Sequence, residues 1–134
     1  MVYHFPPIII EQDFVSAVPY VTKKIEEHNF SIVSNIPVSA KVKAKLGQEI
    51  AGYHIIGFCQ AKIAAALISK DPRIGVMLPC NAVVRALDDS RVEVVIVDLA
   101  ESLSVADTDL SEPLEMANGM LSELHRGLSS IGSD

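Results

Sequence analysis

Residues 53–80 constrain the fold more than any other part of the chain. Residues 53–59 form a short apolar run rich in isoleucine and aromatic residues, residues 61–69 are rich in alanine, and residues 74–78 are apolar again. This order predicts a strand, a helix and a second strand. A helix between two strands of one sheet usually connects parallel strands by a right-handed crossover. The segment therefore predicts a parallel β-α-β unit.

The other segments predict a sheet covered by helices. Further strands are predicted where apolar runs recur, at residues 3–10, 30–36, 82–87 and 92–99. Helices are predicted where apolar residues recur at helical spacing. The last helix has the longest such stripe, formed by Leu114, Ala117, Leu121, Leu124 and Leu128. The predicted fold class is α+β, with two layers: a mixed, mostly antiparallel sheet and helices packed on one face.

A short amphipathic helix is predicted by the spacing of Val38, Val42 and Leu46. Gly47 follows it as a predicted left-handed C-cap. Three lysines at positions 41, 43 and 45 lie in its later half, where they complement the negative end of the helix dipole. We interpret them as a solvated face, with an anion site as the alternative.

Composition limits the possible classes of protein. A chain of 134 residues with 49% hydrophobic residues suits one domain, predicted over residues 1–128, with a frayed tail at 129–134. The net charge of -6 opposes binding to nucleic acid. No apolar run approaches the roughly 20 residues of a membrane span. Two cysteines and no apparent export signal predict a cytoplasmic protein with free thiols.

The two cysteines are the main candidates for chemistry. In a parallel β-α-β unit, Cys59 and Cys80 lie at the carboxyl ends of their strands, the edge at which open α/β sheets bind ligands. Pro79 and Asn81 are predicted to shape the adjoining loop. Two thiols at one edge can bind a soft metal ion or form a redox pair. They can also be structural, because free cysteine often behaves as a small buried hydrophobic residue.

Other patterns of catalysis or metal binding are missing from the sequence. It contains no CxxC, HExxH, P-loop or dinucleotide-binding pattern. A tetrahedral metal site needs at least three protein ligands. His54 lies five positions before Cys59 on a predicted strand, so about 16 Å of chain and opposite sheet faces separate the two side chains. His28 and His125 lie near predicted helix ends and are interpreted as surface residues, so His4 is the one histidine left as a possible third ligand.

Several stretches carry a family resemblance. Residues 57–62 (GFCQAK), residues 71–72 (DP) and residues 75–81 (GVMLPCN) resemble the DUF302 family of domains of unknown function. In that family a cysteine closes one strand, and an alanine-rich helix and a Leu-Pro-Cys motif follow. The resemblance extends over residues 14–128. It departs at Gln60 and Ala61, where the family often has Asn-Pro, and at Asn29, where it usually has glycine.

The resemblance implies a compact α+β fold that often forms dimers, and it implies no established biochemical role. Both thiols match positions of the family motif. Our first hypothesis is a module that binds a soft metal ion or a small ligand at Cys59, Pro79, Cys80 and Asn81, with the two cysteines as metal ligands. The alternatives are a structural or interaction homodimer without an active site, and a thiol-dependent redox enzyme in which Cys59 is the nucleophile.

Overall fold

The computed structural model describes residues 2–132. This part of the chain contains five strands, five α-helices and one 3-10 helix. The strands are β1 (Ile8–Ile10), β2 (Ser31–Ile36), β3 (Tyr53–Cys59), β4 (Cys80–Ala86) and β5 (Val92–Ile96). The α-helices are α1 (Phe14–Glu27), α2 (Val38–Leu46), α3 (Ala61–Lys70), α4 (Leu99–Ser102) and α5 (Ser111–Gly132), and the 3-10 helix is Ile74–Met77.

The strands form one antiparallel sheet in the order β1-β5-β4-β3-β2. The predicted α+β class is confirmed, whereas the predicted parallel pairing within residues 53–80 is wrong. Residues 74–77 form a 3-10 helix instead of a strand, and β4 begins only at Cys80. The chain leaves the sheet at the end of β3, passes through α3 and returns to the same end of the sheet. Phe58 therefore lies opposite Cys80.

One face of the sheet carries the hydrophobic core. Alternate strand residues are buried there, as the period of two in a half-covered sheet requires: Ile8, Ile10, Ile56, Phe58, Cys80, Ala82, Val84, Val92, Val94 and Ile96. α1 packs on the central strands, α5 contacts β1, and α3 packs against α5. The rings of Phe30 and Phe58 meet edge to face with centroids 4.9 Å apart.

The opposite face, which we call the exposed face, has only half-buried side chains at many positions. Ile36, Ile55, Val83 and Val95 are directly paired across β2, β3, β4 and β5, so they form one aliphatic row. Beside this row, the Arg85 guanidinium forms a 2.9 Å ion pair with Glu93. The exposed face thus combines aliphatic side chains with one neutralised charge pair.

α5 differs from the prediction in where it ends, and α2 differs in how little of it is buried. α5 continues to Gly132, past residue 129 at which the tail was predicted, and Ser133 and Asp134 lie outside the described residues. α2 ends as predicted at Gly47, which has the left-handed φ of 65°. However, none of the nine residues of α2 is buried. Among the helices of residues 2–132, none is both long enough and apolar enough to span a membrane.

Candidate thiol site

The two cysteines come together at one end of the sheet. Cys59 is the last residue of β3, and Cys80 is the first residue of β4. Because these strands are antiparallel neighbours and Phe58 pairs with Cys80, Cys59 lies one position beyond the pair. Both thiols are free, with Cys59 half-buried and Cys80 only 8% exposed. The predicted proximity at a sheet end is thus present, although it arises from an antiparallel turnaround.

Both cysteines line a small cavity, which we call the thiol cavity. Its volume is about 10 Å³ for the centre of a water-sized sphere, near the lower limit for one water molecule. The surrounding residues are apolar except for Gln60 and the thiols: Phe30, Cys59, Gln60, Ile63, Ala64, Leu67, Leu78, Cys80, Leu99, Ala117 and Leu121. None of these residues carries a formal charge. The cavity therefore has room for a single small species and offers sulfur as its main ligand atom.

The start of α3 fixes the position of Cys59. Gln60 is the N-cap of this helix, and its Oε1 accepts a hydrogen bond from the Ile63 backbone N–H at 3.0 Å. Capping by a side-chain oxygen satisfies one of the free amides of the first turn. The Cys59 Sγ lies 3.8 Å from the Gln60 carbonyl oxygen. Gln60, at which the sequence departs from the family pattern, thus anchors the helix beside the thiol.

Burial keeps the Cys80 thiol protonated. Burial, with a smaller contribution from nearby Cys59, raises the pKa of the Cys80 thiol to about 12. A thiolate there would be poorly solvated and would have no counter-charge among the residues that line the cavity. Cys80 is therefore a neutral thiol at physiological pH unless a cation replaces its proton.

Pro79 and Asn81 lie on the other face of the sheet from Cys80. Asn81 is exposed and pairs with Gly57, whose side of the strand also faces Ser34 and Pro79. A Cβ on Gly57 would clash with Ser34 Oγ and would lie 3.1 Å from Pro79 Cγ, so only glycine fits without adjustment. Neither Pro79 nor Asn81 lines the thiol cavity. The four predicted site residues thus divide into the two thiols, which line the cavity, and Pro79 and Asn81, which lie on the opposite face of the sheet.

The histidines make other contacts. His54 Nε2 lies 3.1 Å from Asn35 Oδ1, and burial lowers the pKa of His54. His125 Nε2 donates to the Pro6 carbonyl at 2.8 Å, and His28 Nδ1 lies 2.9 Å from the Lys24 carbonyl. Within residues 2–132, no three His, Cys, Asp or Glu side chains are arranged to hold a metal ion. The sulfur pair would have to act without a third ligand from the described chain.

The residues that enclose the thiols were not predicted from the sequence. Phe30, Leu78 and Leu121 come from three distant parts of the chain and meet at the thiol cavity only in the folded domain. Leu78 could have been noticed from its place in the Leu-Pro-Cys motif. For the other two, nothing in the sequence distinguishes a cavity wall from ordinary core.

The arrangement defines a two-layer α+β domain with a five-stranded antiparallel sheet and a thiol pair at one sheet end. The family model described as "Domain of unknown function DUF302" matches residues 9–131, and the chain belongs to that family. A crystal structure of an uncharacterised conserved DUF302 protein from Bacillus stearothermophilus has the same fold. It aligns with a TM-score of 0.81 at 15% identity and covers 92% of this chain and 96% of that one. No curated protein matches the chain.

Proposed function

We propose that Cys59 and Cys80 together bind one soft monovalent metal ion, such as Cu(I), in the reducing cytoplasm. The observation that carries the proposal is that both thiols line the same small, uncharged cavity. Soft ions of this class prefer sulfur ligands, and Cu(I) accepts as few as two thiolates. A divalent zinc site would call for four ligands, which the described residues do not provide here.

The size of the thiol cavity favours an ion over an organic ligand. A volume of about 10 Å³ admits a single atom or water molecule and no larger ligand while its walls stay as they are. Ligand pockets for small molecules usually have volumes of roughly 300 Å³ or more. The soft-metal form of the binding hypothesis is therefore better supported than its small-ligand form.

The raised pKa of Cys80 argues against this thiol as a redox nucleophile. A thiol acts as a nucleophile through its thiolate, and with a pKa of about 12 Cys80 forms almost none at neutral pH. A bound cation supplies the positive charge that the thiolate lacks, and binding releases the thiol proton. Metal affinity is accordingly expected to rise with pH.

A competition titration tests this proposal. Cu(I) is supplied without oxygen in the presence of a chromogenic Cu(I) chelator, and we expect the chain to withdraw one equivalent. Cys59→Ser and Cys80→Ser are each expected to abolish this uptake. Asn81→Ala is the control, because Asn81 faces away from the thiol cavity and its loss leaves uptake unchanged. Folded wild-type protein that withdraws no Cu(I), or uptake that survives in both serine variants, contradicts the proposal.

We also propose that the chain forms a homodimer through its exposed face. Within the aliphatic row, Ile55, Val83 and Val95 are only half-buried in one chain, so a second copy would cover apolar surface. The Arg85–Glu93 pair leaves this face neutral in a chain of net charge -6, which reduces repulsion between copies.

Sedimentation velocity tests the dimer. Val83→Lys, at the centre of the row, is expected to give monomers. Val15→Lys is the matched control, since Val15 is 80% exposed on α1, away from the sheet, and its replacement should leave the dimer intact. A monomeric wild-type chain at micromolar concentration, or a dimer that persists in Val83→Lys, argues against this surface.

A further inference from the structure

The apolar stripe of α2 is only partly covered within its own domain. α2 is attached to the sheet at Ser39, beside the stripe, where the Tyr53 N–H donates to Ser39 Oγ at 3.1 Å and the hydroxyl donates to the Tyr53 carbonyl at 3.4 Å. Val38 and Val42 remain half-exposed, and Leu46 is 72% exposed. An amphipathic helix normally buries its stripe. In this helix no residue of the stripe is fully buried, and its last residue is largely exposed.

The stripe forms one wall of a surface groove, which we call the α2 groove. It is lined by Ile36, Val38, Lys41, Val42, Lys45 and Leu46, and its volume is about 420 Å³. The lining from α2 recurs at intervals of three and four residues, the spacing of one helix face. Ile36, at the end of the edge strand β2, provides the apolar residue outside the helix. The groove is therefore apolar along its floor, with two lysines beside it.

The charge of the groove is opposite to that of the rest of the chain. α2 has three lysines and no acidic residue, whereas the remaining sequence has 8 basic and 17 acidic residues. Lys43 is paired with Glu49 at 2.7 Å. Lys41 and Lys45, which line the groove, have no carboxylate within ion-pair distance among residues 2–132. Two uncompensated cations thus lie beside apolar side chains.

We propose that the α2 groove binds an acidic amphipathic helix of a partner protein. Apolar side chains of the partner would lie against Val42 and Leu46, and carboxylates one turn apart would meet Lys41 and Lys45, which are themselves one turn apart. A partner strand is disfavoured, since the register of β2 shifts between Ile32 and Ser34 and such a bulge interrupts edge pairing. An anionic membrane is disfavoured, since it repels the acidic remainder of the chain.

Three designed helical peptides test the proposal by fluorescence anisotropy with the full chain. All carry leucine at i and i+4, and they differ only in having glutamate, glutamine or lysine beside the leucines. We expect the glutamate peptide to bind most tightly and its affinity to fall with added salt. Lys41→Gln combined with Lys45→Gln should weaken binding about tenfold, as two rim ion pairs suggest. Lys43→Gln is the matched control and should bind as the wild type does.

Leu46→Ser tests the apolar half of the groove and should weaken binding of all three peptides. Equal weakening by Lys43→Gln, or no weakening by Leu46→Ser, overturns the proposal. So does the absence of any preference for the glutamate peptide. Binding to anionic vesicles without binding to the peptides would indicate a lipid surface instead. If no peptide binds but Leu46→Ser dissociates a dimer, a second copy occupies the groove and the proposal is wrong.

Discussion

α5 and α2 have the same kind of amphipathic sequence, but the structure buries only one of the two stripes. The stripe of α5, including Leu121 and Leu124, is buried at every position. The stripe of α2, ending at Leu46, has no buried residue. Both helices form where the periodicity predicts them. The comparison shows that periodicity identifies a helix and its apolar side, whereas the position of the helix in the fold decides what that side contacts.

The two helices differ in their neighbours. α5 has 22 residues and packs against α1, α3, α4 and β1, so its stripe is enclosed from several directions. α2 has nine residues and lies at the edge of the sheet, where it contacts mainly β3 and is held by Ser39. A short helix at a sheet edge has too few neighbours to cover its apolar side. Part of that side, at Leu46, is therefore left exposed.

The largest loss of stability is expected from a substitution in the buried stripe of α5. Leu124→Ala removes a side chain that is fully buried, and we expect it to lower the free energy of unfolding by about 2–5 kcal/mol. Urea denaturation followed by circular dichroism measures this loss. A cost below about 1 kcal/mol would mean that α5 is not packed as described.

The loop after α2 packs closely against α1 at Gly52. A Cβ on Gly52 would lie 2.6 Å from Phe14 Cγ, so Gly52→Ala should cost about 1–3 kcal/mol through overpacking. Gly75→Ala is the control, because a Cβ there meets no atom within 4 Å. Thermal unfolding of both variants makes the comparison. Equal stability of the two would contradict the close contact with Phe14.

Alkaline pH should destabilise the end of the sheet that holds the thiols. The pKa of Cys80 is about 12 in the folded chain, against an ordinary value of 9.0. Below pH 9 the thiol is protonated in both states, and between pH 9 and 12 only the unfolded state ionises. Stability should therefore fall with rising pH, by about 1.4 kcal/mol at pH 10. Cys80→Ala lacks this contribution, so a pH dependence identical to that of the wild type would contradict a buried, protonated thiol.

The smallest loss of stability is expected from a substitution in the stripe of α2. Leu46→Ala should change the free energy of unfolding by less than about 0.5 kcal/mol, as for other surface substitutions. The same urea experiment used for Leu124→Ala measures it, and the contrast between the two leucines is the test. A cost of more than about 2 kcal/mol would show that Leu46 is buried in solution.

Much of the fold could be predicted because local patterns determine it. The stripe of α5, the left-handed Gly47 and the end of β2 before Pro37 all follow from local periodicity and backbone preference. Strand direction could not be predicted in the same way. Residues 74–78 are apolar enough for a strand, but residues 74–77 form a 3-10 helix, and β4 begins only after the chain has returned to the same end of the sheet.

The candidate site was predictable in part. Cys59 and Cys80 were expected at one sheet end, and they are there, although the parallel arrangement used to place them is wrong. Strand alternation places Asn81 opposite Gly57 and away from Cys80, a consequence of the period of two that becomes visible once β4 is known to start at Cys80. The residues that close the thiol cavity depend on packing between distant segments. A single sequence does not encode that packing in any short motif.

The central claim is that the two thiols bind one soft metal ion, and X-ray absorption at the copper edge tests it most directly. The measurement is made on the chain loaded with one equivalent of Cu(I) without oxygen, beside the Cys80→Ser variant. We expect two sulfur neighbours around copper in the wild type and no copper bound by the variant. Copper coordinated by nitrogen or oxygen in the wild type, or copper held by two sulfur atoms in Cys80→Ser, would contradict the claim.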